Sequence, residues 1–347
     1  MSEKNSNIQS SIPLESRIRG ALYGLFIGDA LAMPVHWYYD RNELKRDYGH
    51  VTDYMPPKNP HPGSILSYKS YEPLNKKGEI LHEQKKYWGK KGVHYHQFLK
   101  AGENTLNMKL VTLVINSLNE KGSYDADDYL DRYISFMTTP GNHMDTYVEE
   151  YHRHFFAQYA QGKSPRKCGM KEKHIGGLVG LVPIILFHNH DPGRAKQAAL
   201  EHLSLTHLGD SMEEAAGIII NILLNLLTGE SFENEILKSI GGMLLPFDVD
   251  TFLRWIDEAD ENIVGGKFST ACYVQESIPS LLYLAYKYRD KSEEGVIANT
   301  NLGGDNAYRG AVLGALLGTA NGFDCWPERW VNGLIDPPPD LKMGKAD

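Results

Sequence analysis

One glycine pattern occurs twice, near the two ends of the 347-residue chain. The first copy is Gly20, Gly24 and Gly28, and the second is Gly310, Gly314 and Gly318. At this i, i+4, i+8 spacing a helix carries a stripe without side chains, along which another backbone can approach closely. Glycine costs about 1 kcal/mol relative to alanine inside a helix, so three in register need a packing reason. The two stripes therefore predict a pair of closely packed helices.

Each stripe adjoins an acidic residue. Asp29 follows the first stripe directly, and the segment Gly303-Gly304-Asp305-Asn306 precedes the second. Stripes that served only as packing seams would not require these acids. The combination predicts that the two helices bring Asp29 and Asp305 to one place.

Helical spacing of apolar residues recurs through most of the chain, and alternating strand patterns are nearly absent. We expect an all-α fold, a compact multi-helix bundle with long irregular loops. A single domain is predicted over 14–335, with a disordered N-terminus at 1–13 and a flexible tail at 336–347. The proline-rich segment 52–98 lacks periodicity and is predicted to be a long irregular excursion, of the kind that often covers a site. Helices are predicted at 14–28, 106–117, 129–137, 145–159, 177–188, 194–204, 213–227, 233–245, 278–288, 293–299 and 310–321.

Charge and cysteine content narrow the function classes. The net charge is −8 with dispersed basic residues, which argues against binding nucleic acid or an acidic membrane surface. Three cysteines without a C-x-x-C pair fit a reducing compartment. The polar N-terminus has no signal-peptide core, and the apolar runs near 175–187 and 215–228 are too short or too interrupted to span a bilayer. A soluble cytoplasmic protein is expected, and the oligomeric state stays open.

Three short polar segments are predicted to precede helices: 28–31, 102–105 and 303–306. Helix N-termini attract anions, although acids and amides there often serve only as caps. Their oxygen atoms are also the ligands that Mg²⁺ prefers. The candidate oxygen ligands are Asp29, Glu103, Asn104, Thr105 and Asp305.

The order of these motifs resembles the ADP-ribosylglycohydrolase family. A G-D-A-L segment, an acid/amide/Thr motif, a T-H pair at Thr206-His207 and a final G-G-D follow one another over residues 15–325. The resemblance implies an all-α fold and, in active members, a two-Mg²⁺ centre. That centre hydrolyses the N- or O-glycosidic bond between ADP-ribose and its acceptor.

The match is uneven at the metal motifs. The family's T-D-D-T falls on Gly102-Glu103-Asn104-Thr105, and its G-D-T-D-T falls on residues 304–308, where Ala307 replaces a metal-binding aspartate and Tyr308 a threonine. A pair of Mg²⁺ ions needs several carboxylates to offset four positive charges. The resemblance therefore supports one Mg²⁺ ion, held by Glu103, Asn104, Thr105 and Asp305.

The resemblance also suggests roles for other residues. Glu103 is the expected base and Asp305 the second catalytic residue, with His36 as an alternative acid or base because its ordinary pKa lies near neutrality. An ADP-ribose-like small molecule or an ADP-ribosylated substrate is the expected partner. The expected substrate-binding residues are Asp29, Asn104, Gly176, Gly177, His207, Asn306, Tyr308 and Arg309.

Several alternatives remain at this point. Asp145, Glu149 and His152 stand at i, i+4, i+7, which more often marks a solvated helix face than a functional cluster. The leading function is a divergent hydrolase of ADP-ribosyl or related nucleotide-sugar compounds. An inactive ADP-ribose-binding or crystallin-like structural member is the alternative. A metal-independent hydrolase is a third, if His36 and Arg309 replace an ion.

Overall fold

The computed structural model describes residues 12–64 and 71–342. It is 59% helical, and its described residues contain only two strands, β1 (Met170–Lys171) and β2 (His207–Leu208), which pair in parallel. The predicted all-α class is confirmed. Residues 1–11 of the predicted disordered N-terminus lie outside the described part. The helices are α1 (Leu14–Ala32), α2 (Arg41–Tyr48), α3 (Leu106–Lys121), α4 (Ala126–Thr138), α5 (Glu150–Ala160), α6 (Leu181–Phe187), α7 (Pro192–Ser204), α8 (Asp210–Leu227), α9 (Phe232–Lys238), α10 (Val249–Trp255), α11 (Asp260–Ile263), α12 (Val274–Lys287), α13 (Ser292–Leu302), α14 (Asn306–Asn321) and α15 (Glu328–Gly333).

Helices α1 and α14 lie at the centre, antiparallel and backbone to backbone. A Cβ atom built on Gly24 would stand 2.1 Å from the carbonyl oxygen of Gly314, and one built on Gly28 would stand 2.0 Å from that of Gly310. A Cβ on Gly20 would likewise meet the Gly318 oxygen at 2.4 Å. No side chain fits in this seam. The antiparallel register brings the C-terminal end of α1 to the N-terminal end of α14.

The first helix runs further than its sequence suggests. It was predicted to end at the junction of Gly28 and Asp29, but α1 continues to Ala32 and a 3₁₀ turn follows at Met33–Val35. Asp29 therefore lies within the last turns of a helix and does not precede one. The prediction failed because Gly28 was taken as a helix end, whereas its role is close packing against Gly310.

Other boundaries also differ. The helix predicted over 145–159 begins only at Glu150, which leaves Asp145 and Glu149 in the preceding loop. The one predicted over 233–245 ends at Lys238, and 177–188 divides into a 3₁₀ turn and α6. The short helices α2, α10 and α15 were not predicted. Each offers only two turns or fewer, over which apolar periodicity is hard to recognise.

Within its described residues, the segment 52–98 has no α-helix or strand and only short 3₁₀ turns. It nevertheless ends in the interior, because His94, Tyr95 and His96 are all buried. The described part of the tail, 336–342, contacts α3. Asn119 of α3 donates to the carbonyl of Asp340 at 2.8 Å and accepts from the N–H of Lys342 at 2.7 Å.

One helical stretch of the described chain, Leu14–Val35, is long and apolar enough to cross a membrane. The sequence analysis had considered only the apolar runs near 175–187 and 215–228 as possible membrane spans. Of the apolar window in Leu14–Val35, 89% is buried inside the protein. Burial against α14 accounts for this apolar composition.

Candidate functional site

The N-terminus of α3 is held by two buried carboxylates. The backbone N–H of Thr105 donates to Asp29 at 2.9 Å, and that of Leu106 donates to Asp145 at 3.0 Å. The Thr105 hydroxyl and the Asn104 amide also donate to Asp29, at 2.7 and 2.8 Å. Burial raises the pKa of Asp29 to about 6, against the effect of these hydrogen bonds. The first free N–H groups of this helix are thus satisfied by the protein itself.

Glu103, the predicted base and metal ligand, has other partners. Its carboxylate pairs with the ammonium of Lys109 at 2.9 Å and accepts the backbone N–H of Lys100 at 3.1 Å. Its side chain is 16% exposed, whereas Asp29 and Asp305 have no exposed surface. Asn104 and Thr105 turn toward Asp29, and Glu103 turns toward Lys109. The three consecutive motif residues therefore do not point to one common site.

Asp305 is the N-cap of α14 and is surrounded by imidazole and indole rings. Its Oδ2 lies 3.3 Å from Nε2 of His174 and 3.4 Å from the indole N–H of Trp37. Its Oδ1 lies 3.7 Å from Nε2 of His36. Burial by itself would raise the pKa of Asp305, but the neighbouring His174 ring holds it well below its ordinary value. Asp305 is therefore a carboxylate at neutral pH.

His36 is the end of a line of three buried side chains. Its Nδ1 lies 2.7 Å from Nε2 of His96, and Nδ1 of His96 lies 2.6 Å from Oδ1 of Asp145. His36 and His96 have no exposed surface and Asp145 is 1% exposed. Burial lowers the pKa of His36 to about 4, so the ring is neutral at pH 7.

Hydrogen-bond direction assigns the protons along this line. The Asp145 carboxylate can only accept, so His96 carries a proton on Nδ1, and in the neutral ring Nε2 then presents a lone pair. His36 must then donate from Nδ1, which leaves a lone pair at its own Nε2. That lone pair faces Oδ1 of Asp305, and neither atom has a hydrogen-bond partner among residues 12–64 and 71–342. Two buried acceptors that face each other need a species with hydrogen to donate, or a cation, between them.

A second carboxylate, Glu149, lies beside this pair. The hydroxyls of Tyr95 and Tyr308 both donate to its Oε1, and its Oε2 lies 3.8 Å from His152. Burial raises the pKa of Glu149. Asp145, Glu149 and His152 are each at most 2% exposed. The interpretation of these three residues as a solvated face is therefore wrong, because the loop before α5 carries Asp145 and Glu149 into the interior and His152 lies among the buried residues of α5.

The remaining predicted substrate residues have structural contacts. Gly176 and Gly177 form part of the 3₁₀ turn Ile175–Leu178, where a Cβ on Gly177 would meet the ring of His207 at 2.8 Å. A Cβ on Gly176 would meet the Tyr151 hydroxyl at 2.8 Å. His207 is buried, with Nδ1 2.8 Å from the Thr206 hydroxyl. These residues pack the wall behind His174.

Arg309 was predicted to bind the substrate, although an arginine near the start of a helix more often lies at the surface. It has no exposed surface, and its guanidinium donates to Asn299 at 2.7 Å and to the carbonyl of Gly303 at 3.1 Å. The amide of Asn306 donates to the carbonyl of Thr300 at 2.8 Å. Both side chains fix the loop that carries Asp305. The surface alternative for Arg309 is excluded.

Aromatic rings cover the Asp305 and His36 pair. The Trp37 ring packs at 4.8 Å from Tyr95 and 4.8 Å from Tyr147, between centroids, and is 8% exposed. Trp37 has φ of 69°, an uncommon conformation for a residue with a side chain, held by its N–H donating to the carbonyl of Gly304 at 2.8 Å. Strained backbone of this kind is often found beside functional sites.

The residues around Asp305 do not fit the expected Mg²⁺. Mg²⁺ takes six oxygen ligands, and both oxygens of Asp29 already accept from Asn104 and Thr105. Glu103 is paired with Lys109, and Ala307 offers no oxygen ligand from its side chain. Oδ2 of Asp305 itself faces the N–H groups of His174 and Trp37. The donor set lacks the oxygen atoms that the ion requires.

His174, Cys272 and Asp305 offer a softer set, with ligand atoms within 4.8 Å of one another. Nitrogen, sulfur and oxygen together suit an ion such as Zn²⁺. However, the N–H of Gly176 donates to Nδ1 of His174 at 3.0 Å, which places the ring proton on Nε2. The nitrogen that lies 3.3 Å from Oδ2 of Asp305 therefore carries a hydrogen.

Sequence reasoning missed several residues of this site. His96, Asp145, Glu149 and Tyr95 were not among its predicted members, and His174 was only loosely matched to a family motif. Two closely spaced histidines, His94 and His96, stand near the end of the irregular segment, which was a usable signal of buried polar contacts. Their partners could not be found from spacing, because Asp145 is 49 positions from His96 in the chain.

The all-α fold brings carboxylates and imidazoles together in a buried centre, and comparison with known proteins identifies the family. Residues 10–343 match the ADP-ribosylglycohydrolase family. The chain therefore belongs to the ADP-ribosylglycohydrolase family, a family of glycosyl hydrolases.

Two further similarities agree in extent. An uncharacterized protein of Archaeoglobus fulgidus is 23% identical over 329 residues, which cover 93% of each chain. A chain solved in an ADP-ribosylglycohydrolase-related protein complex has a TM-score of 0.62 and 22% identity, with 92% of this chain and 93% of that chain covered. At this identity the structural likeness concerns the fold alone.

Proposed function

We propose that this protein is a cytoplasmic hydrolase that cleaves a glycosidic bond of an ADP-ribosyl or related nucleotide-sugar compound. Family membership supports the reaction class. The observation that carries the proposal is the pair of facing acceptors, Nε2 of His36 and Oδ1 of Asp305, 3.7 Å apart and without partners. A water molecule is the smallest species that donates to both.

In this proposal His36 is the general base. Water placed between the two acceptors gives one proton to Nε2 of His36 while its oxygen attacks the anomeric carbon of the ribose. The glycosidic bond breaks with its electron pair on the leaving nitrogen or oxygen, which takes up a proton. Asp305 holds the water and stabilises the positive charge that develops on the sugar. His36 then releases its proton, and no step requires Mg²⁺.

The test is turnover of ADP-ribosyl-arginine and of ADP-ribosyl-serine peptides by the full chain, with ADP-ribose release as the readout. Hydrolysis by the wild type and its loss in Asp305→Asn would support the proposal. Calorimetric titration with ADP-ribose separates binding from turnover. Absence of both turnover and binding would refute the ADP-ribosyl assignment.

One observation favours a second candidate, an ADP-ribose-binding or structural protein without activity. Asp305 and His36 have no exposed surface, and Trp37, Tyr95 and Tyr308 pack around them. A substrate reaches Asp305 only if these rings move. Binding of ADP-ribose without turnover of either ADP-ribosylated peptide would select this candidate.

A further inference from the structure

The line Asp145–His96–His36 ends at the acceptor that the proposed reaction uses. Each of its contacts is short, at 2.6 Å and 2.7 Å, and each of its members is buried. The line is anchored at its far end, because the second oxygen of Asp145 accepts the backbone N–H of Leu106, the first residue of α3. Each oxygen of Asp145 therefore already accepts a hydrogen bond.

We infer that Asp145 and His96 are positioning residues that fix the proton of His36 on Nδ1 and keep its Nε2 lone pair aimed toward Asp305. The catalytic part of this inference rests on the proposed function, whereas the proton assignment does not. In this arrangement two hydrogen-bonded imidazole rings activate the attacking water, in place of a metal ion.

The groups around His36 are consistent with this assignment. Tyr95 stacks on its ring at 5.1 Å and Tyr308 meets it edge-on at 5.3 Å, between centroids, and neither gives a hydrogen bond to Nε2. Both tyrosine hydroxyls donate instead to Glu149. Among the described residues, the ring nitrogens of His36 therefore contact His96 on one side and Asp305 on the other.

The carboxylate of Asp145 determines the direction of each hydrogen bond along the line. It accepts from two donors, Leu106 N–H and His96 Nδ1–H. In Asp145→Asn only one oxygen remains, and the amide N–H₂ must face one of these donors. If the oxygen keeps Leu106, the amide donates to Nδ1 of His96, whose proton moves to Nε2. His36 then accepts at Nδ1 and carries its proton on Nε2, which removes the base.

The experiment reads these protons directly, by side-chain ¹⁵N NMR of the full-length protein labelled in histidine. The His36 signals are assigned by their loss in His36→Gln. We expect a protonated Nδ1 and a bare Nε2 in the wild type, and a shift of the proton to Nε2 in Asp145→Asn. The matched control is Asp260→Asn, which also removes a carboxylate that accepts two hydrogen bonds, here from Tyr283 and Tyr288. That control should leave the His36 signals in place.

Two further measurements keep the inference open to refutation. His96→Gln retains an amide oxygen that can accept from His36 Nδ1, so it should preserve the His36 proton position, whereas His96→Leu should not. If a peptide substrate is turned over, Asp145→Asn should lower kcat by about 100-fold or more with little change in KM. Circular dichroism and the thermal midpoint of each variant show whether it folds.

The outcomes separate this inference from the proposed function. A wild-type His36 with its proton on Nε2 overturns the proton assignment, and an Asp145→Asn signal identical to the wild type overturns the positioning role of Asp145. Turnover that survives Asp145→Asn overturns the role of the line Asp145–His96–His36 in catalysis and leaves the hydrolase proposal intact. The predicted proton positions without turnover of any ADP-ribosylated peptide support the assignment and count against the function.

Discussion

The packing of α1 against α14 gives the sharpest quantitative prediction. In Gly314→Ala the new Cβ would lie 2.0 Å from the carbonyl oxygen of Gly24 and 2.6 Å from its carbonyl carbon. Both atoms belong to backbone, so no side chain can rotate away. Relief of the contact requires the two helices to separate by about 1 Å or more, which opens the centre of the core.

The expected cost follows from two opposing terms. Alanine would gain about 1 kcal/mol over glycine from its helix propensity. Overpacking of a rigid core costs about 1–3 kcal/mol and more where backbone must move. Because both contacting groups are backbone in the two most central helices, the upper end of that cost applies, and we expect a net loss of about 2 kcal/mol or more in the free energy of unfolding.

The matched control is Gly217→Ala. Gly217 lies inside α8, and a Cβ built on it meets nothing within 4 Å. This substitution should therefore gain about 0.5–1 kcal/mol from propensity alone. Urea or guanidinium unfolding, followed by circular dichroism, gives both free energies. A Gly314→Ala variant within 1 kcal/mol of the wild type would refute the backbone-contact argument.

Four other predictions concern the site and its surroundings. His36→Gln and Asp305→Asn should each lower turnover of an ADP-ribosylated peptide by about 100-fold, as measured by ADP-ribose release. If the wild type turns over, incubation with EDTA should leave its rate within about twofold and added Mg²⁺ should not raise it; a strict Mg²⁺ requirement would refute the donor-set argument. Arg309→Met, which removes the contacts to Asn299 and Gly303, should lower the free energy of unfolding by about 3 kcal/mol in denaturant titrations. Burial lowers the pKa of His202 to about 3, so its unfolded form binds the extra proton and stability should fall as pH drops below about 6.5; His202→Gln should reduce that slope by up to about 1.4 kcal/mol per pH unit.

The glycine stripes were informative in sequence because their message is local. A period of four along a helix specifies a bare face, and only another backbone makes use of such a face. Because the chain has two such stripes, they were expected to pack against each other, and Gly24 does lie against Gly314. The helix end at Ala32 could not be predicted in the same way, because Gly28 looks alike as a terminator and as a packing residue.

The chemistry of the site was much harder to foresee. Family motifs point to Glu103, Asn104 and Thr105 as one ligand group, yet the first of these pairs with Lys109 and the other two hold Asp29. Consecutive residues at a turn face different directions, and motif order does not record which. His96 enters from an irregular segment that offers no periodic signal at all.

The seam and the site are connected through helix register. Asp305 precedes α14 and His36 follows the 3₁₀ turn after α1, so their separation depends on how the two helices are aligned lengthwise. A slip by one glycine repeat would move one helix past the other by about 6 Å, at 1.5 Å per residue. The facing atoms of His36 and Asp305 are 3.7 Å apart, well below that step. The helices approach most closely in the alignment that places glycine opposite glycine. In alignments between two glycine repeats, side chains next to the stripes would collide with the other helix. The same three pairs that allow the helices to touch therefore also set the spacing of the two acceptors.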